Sequence, residues 1–60
     1  MDALKTAQYA RALYSAHGDK AEAEAAQKAR EFEAAGNVEE AQNWQAVRAS
    51  IRQMRGPNQG

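Results

Sequence analysis

The sequence predicts an all-α protein, a small three-helix bundle with helices over about 3–17, 20–35 and 38–55. Three observations predict it. Strong helix formers (alanine, glutamate, lysine, glutamine and arginine) supply most positions. Gly18-Asp19 and Gly36-Asn37 punctuate the chain, each joining a glycine that closes a helix to a residue that opens one. Between these points apolar residues recur at helical spacing.

In the first segment, Asp2 to His17, one arc of the helical wheel holds Ala3, Thr6, Ala7, Ala10, Leu13, Tyr14 and His17. Lys5, Gln8, Arg11 and Ser15 lie opposite, so the helix is amphipathic. Tyr9 sits off the apolar face and is expected to be partly exposed, as is Leu4. His17, the single histidine, falls in the last turn. There a protonated imidazole interacts favourably with the helix dipole, which points to a capping role.

The central segment, Asp19 to Ala35, organises the rest. Asp19 with Glu22 three residues on forms a D-x-x-E variant of the capping box, in which each side chain satisfies an unpaired backbone donor. Ala21, Ala25, Ala29, Phe32 and Ala35 share one face at about 100° per residue. Three of these project only methyl groups, which permits a neighbouring helix to approach to about 8 Å. Lys20, Glu24, Lys28 and Glu31 form an adjacent stripe of alternating sign, with Glu24 and Lys28 in the favourable order for an ion pair along the helix.

The third segment opens on Asn37, with Glu40 placed to repeat the capping box. Glu39 and Glu40 in its first turn and Arg52 and Arg55 in its last suit the helix dipole. Trp44, Val47, Ile51 and Met54 follow a 3-4-3 spacing, the richest apolar stripe in the chain. Its simplest use is as the third wall of the core. Gly56-Pro57 stops the helix, so residues 1–55 are expected to form one domain and 56–60 a flexible tail. The two turns share the pattern G-[DN]-x-x-E-A, which resembles the interhelical turn of tetratricopeptide repeats. The spacing of the copies is 36 − 18 = 18 residues, against a repeat of about 34. The resemblance therefore assigns no family.

Sixty residues make a single small domain, and much of the 43% hydrophobic content is alanine. A core that thin favours oligomerisation or a place in a larger assembly. The chain has no cysteine, hence no disulfide framework. Eight basic residues balance eight acidic ones, which disfavours a dedicated nucleic-acid or membrane binder. No apolar run approaches the length of a membrane span and the N-terminus lacks the build of a signal peptide, so the chain is expected in the cytoplasm.

Candidate chemistry is sparse. With one histidine at a helix end and serines at Ser15 and Ser50, no nucleophile, base and orienting partner can be assembled, and no enzymatic activity, metal or cofactor is expected. His17 has neither histidine nor carboxylate three or four residues on. What the sequence offers is a binding face on the third helix. Trp44, Val47 and Ile51 would supply buried contact, and Arg48, Arg52 and Arg55 would orient a protein partner, either a second copy or an acidic or apolar surface. The alternative is a nucleic-acid accessory protein using the same three arginines on a phosphate backbone. Against it, Glu39 and Glu40 occupy the helix start that a DNA-reading helix would present.

Overall fold

The structure, a computed structural model, describes residues 2–56. Three α-helices follow one another: α1 (Ala3–His17), α2 (Lys20–Ala34) and α3 (Val38–Arg55). They pack against each other as a small all-α three-helix bundle, with α3 most extensively in contact with α2, less with α1, and α1 least with α2. The tail expected at 56–60 lies, beyond Gly56, outside the described residues.

The helix ends show how the turns are made. Asp2 caps α1, its carboxylate accepting the Lys5 backbone N–H at 2.8 Å. α2 closes on Gly36, whose φ of +81° costs a residue without Cβ little. There the Gly36 N–H donates to the Glu33 carbonyl at 3.0 Å and the Asn37 N–H to the Phe32 carbonyl at 2.9 Å. This pair of bonds is a Schellman closure, and it satisfies the last carbonyls of the helix. Asn37 then opens α3, its side chain accepting the Glu40 N–H at 3.2 Å. Glu40 does not reach back; its carboxylate accepts from the Asn43 amide at 3.4 Å.

The capping box expected at Asp19 and Glu22 does not form. Asp19 already has helical dihedrals, φ −62° and ψ −20°, and makes no side-chain cap bond. A cap residue accepts from the following turn only from an extended backbone. Here the turn is tighter, with the Ala21 N–H bonded straight to the Gly18 carbonyl at 3.0 Å. Both carboxylates face Arg55 of α3 instead, Glu22 at 2.5 Å and Asp19 at 3.7 Å.

The core is built mostly from alanine. Ala10, Ala21, Ala25, Val47 and Ile51 form one buried cluster, with Leu13, Tyr14 and Trp44 packed partly buried against it. Val47 and Ile51 are the largest fully buried side chains among the described residues. The methyl-lined face of α2 is buried at Ala21, Ala25 and Ala29, as its spacing predicts, while Phe32 is half-buried and Ala35 exposed just beyond the helix. On α1 the predicted arc is too wide. Thr6 and Ala10 are buried and Leu13 and Tyr14 half-buried, but Ala3, Ala7 and His17 are exposed. That follows from packing, because α1 rests mainly on α3 and barely meets α2.

Candidate functional site

The six residues predicted to form a binding face on α3 do not share one surface. Val47 and Ile51 are each 0% exposed, so they belong to the core and offer nothing to a partner. This corrects the sequence expectation. On a helix that packs against two others the middle of the 3-4-3 stripe is consumed from both sides, while Met54 at its end stays 37% exposed. Arg55 turns toward the start of α2, where it meets Glu22 and Asp19. Arg48 is half-buried and Arg52 exposed, and Trp44 is half-buried at the boundary of the core.

Trp44 instead joins residues of the other two helices. Because α1 and α2 touch so little, an open groove of about 380 Å³ runs between them. Tyr9, Leu13 and His17 line it from α1, Glu24, Gln27, Lys28 and Glu31 line it from α2, and Trp44 of α3 contributes between the two walls. The Tyr9 and Trp44 rings meet edge to face, with centroids 5.5 Å apart and planes at 76°. In that arrangement the positive edge of one ring lies on the negative face of the other, which fixes both orientations. Tyr9 is 43% exposed, so the pair presents aromatic surface to solvent rather than closing the core.

The polar wall is held by short-range pairs. Nδ1 of His17 contacts a carboxylate oxygen of Glu24, which ties the end of α1 to α2 across the turn. The expected ion pair between Glu24 and Lys28 is therefore not the one made. Lys28 lies 4.0 Å from Glu31, and the Gln27 amide donates to the other Glu31 oxygen at 3.2 Å. His17 does more than meet the dipole of its own helix. Its partner sits seven residues on, beyond the three- and four-residue spacings that reveal a pair along one helix.

The groove sets an aromatic and aliphatic wall against a wall of carboxylate, amide and ammonium groups. Among the described residues no three histidine, aspartate or glutamate side chains converge as metal ligands would. No helix among them is long and apolar enough to cross a membrane. Sequence reasoning missed Tyr9 and Leu13 as site residues, since the wheel of α1 alone places one near the rim and the other in the core. The signal lay in combination, because Tyr9 and Trp44 each stand six residues past the first residue of their helices. In an up-down-up bundle α1 and α3 run parallel, so equal positions come level.

The chain matches no described protein family, no curated protein and no solved structure.

Proposed function

We propose that the chain is a small protein–protein interaction module that receives a helical partner in the groove between α1 and α2. The observation that carries this reading is the edge-to-face pair of Tyr9 and Trp44, two large aromatic rings held in an open groove while the core is filled by alanine, valine and isoleucine. Rigid aromatic side chains in a concave site are the usual anchors of protein recognition. A trough between two helices suits an amphipathic helix, whose apolar stripe would meet Leu13, Tyr9 and Trp44 and whose polar edge would meet α2. This surface shares Trp44 with the α3 face that the sequence suggests. The nucleic-acid alternative loses support, since Arg55 faces two carboxylates and Arg48 is half-buried.

A photo-crosslinking amino acid placed at Gln27, exposed on the groove wall, tests the reading in the cell that makes the chain. The same residue at Gln45, exposed on α3 and absent from the groove lining, is the control. Capture of a protein from position 27 and not from 45 is the expected result. Equal capture at both, or none at 27, overturns it.

A further inference from the structure

We infer that the partner covering this groove is a second copy of the chain laid face to face with it, related by a twofold axis passing level with Ala26 so that each α2 runs antiparallel to the other α2 and each α1 to the other α1. The inference rests on the reading of the groove as a docking site and names its occupant. Its first support is the order of charge along the outer face of α2. Lys20, Glu24, Lys28 and Glu31 occupy one arc of that helix, and the last three border the groove. Taken in reverse, this series changes sign at every position, which is what an isologous interface between antiparallel helices requires.

The series also locates the axis. Glu24 lies two residues before Ala26 and Lys28 two after, so each meets the other's counterpart on the second copy. Lys20 is six residues before Ala26 and Glu31 five after, which brings these opposite charges level as well. An axis about half a turn to either side fails. Centred on Glu24 it sets Lys20 against Lys28; centred on Lys28 it brings Glu24 level with Glu31, like charge on like. Glu24 can accept the new contact because its pair with His17 uses one carboxylate oxygen and leaves the other.

A second, independent support comes from α1. Arg11 stands as far before the Gly18-Asp19 turn as Ala26 stands after it, so the same axis passes level with Arg11 in an antiparallel pair of helices. Tyr9 and Leu13 lie two residues either side of that level. The axis therefore sets Tyr9 against Leu13 of the second copy, and Leu13 against its Tyr9, closing both grooves over Trp44 at once. Arg11 falls on the far side of the α1 wheel from Tyr9, so no arginines are forced together at the axis. The charge pattern and the apolar residues thus select one axis from two different helices.

Sedimentation equilibrium of the full chain, from micromolar to millimolar concentration, tests the inference. The wild type is expected to show a monomer–dimer equilibrium. Lys28→Glu and Glu24→Lys, both at exposed or half-exposed positions, each place like charges across the axis. Each is expected to weaken dimerisation about tenfold, because two symmetry-related pairs become two repulsions. Mixing the two variants restores opposite charges at both contacts, so the mixture is expected to form a heterodimer at least about tenfold tighter than either variant alone. Circular dichroism of each variant verifies that helicity is retained. Dimerisation indifferent to both substitutions, or a mixture no tighter than its components, overturns the inference. A wild type that stays monomeric at millimolar concentration overturns it too. If position 27 then captures a different protein, the groove remains a docking site with another occupant; if it captures nothing, both readings fall.

Discussion

Replacing Arg55 by alanine isolates the contact that joins the end of α3 to the start of α2. The guanidinium lies 2.5 Å from Glu22 and 3.7 Å from Asp19. The two contacts are unequal, since the Glu22 side chain is 18% exposed and that of Asp19 81%. A charge-assisted hydrogen bond contributes about 1.5–3 kcal/mol when shielded from water. The 31% exposure of Arg55 lowers that value, and the exposed contact to Asp19 adds at most a few tenths of about 1 kcal/mol. We expect Arg55→Ala to cost about 2 kcal/mol, much of it from leaving the Glu22 carboxylate covered without its cation. In a chain this small that lowers Tm by about 8–16 °C. Thermal unfolding followed by circular dichroism, for Arg55→Ala, Glu22→Gln and the double variant, should give a coupling energy of about 1–2 kcal/mol. Asp19→Ala separates the ion pair from the capping alternative. A side-chain cap would make it cost about 1 kcal/mol, whereas the geometry here predicts less than about half of that. Additive effects of the Arg55 and Glu22 substitutions, or an Asp19→Ala more damaging than Arg55→Ala, would refute the reasoning.

Other consequences are checked by urea denaturation. Ile51→Ala empties part of the core cluster and should cost about 2–5 kcal/mol, comparable to the whole stability of so small a bundle, while Ile51→Val should cost about 0.5–1.5 kcal/mol. Ala25→Leu forces bulk between closely packed helices and should destabilise by about 1–3 kcal/mol, whereas the same change at exposed Ala23 should stay within about 0.5 kcal/mol. Gly36→Ala meets no atom within 4 Å of the added Cβ, so its expected cost of about 1–2 kcal/mol is conformational, from holding φ positive. A midpoint unchanged by Gly36→Ala would contradict that account.

The bundle was legible in the sequence because its instructions are local. Helix formers, two glycine turns and the methyl face at Ala21, Ala25 and Ala29 each act within one or two turns, and all three helices lie where these signals put them. What escaped was non-local. A D-x-x-E string records composition, and whether Asp19 caps depends on a dihedral angle set by the tightness of the turn before it. Glu22 finds its partner 33 residues away. The α3 stripe also contains two kinds of residue that a wheel cannot separate. Val47 and Ile51 are buried against both neighbours, while Trp44 reaches the place where those neighbours part. How far α1 and α2 stand apart is a property of three packed helices, so a groove between them is written in no single segment.

The unequal packing of the three helices has a kinetic counterpart. α2 and α3 meet along a broad face and are joined by the closed turn at Gly36, so their hairpin can form with little loop entropy to overcome. α1, with its sparse hold on α2, is expected to dock last and detach first. Backbone amides of α1 should therefore exchange with deuterium ahead of those in the other two helices, and partial opening of the molecule at equilibrium should consist of this one helix swinging away from an intact pair.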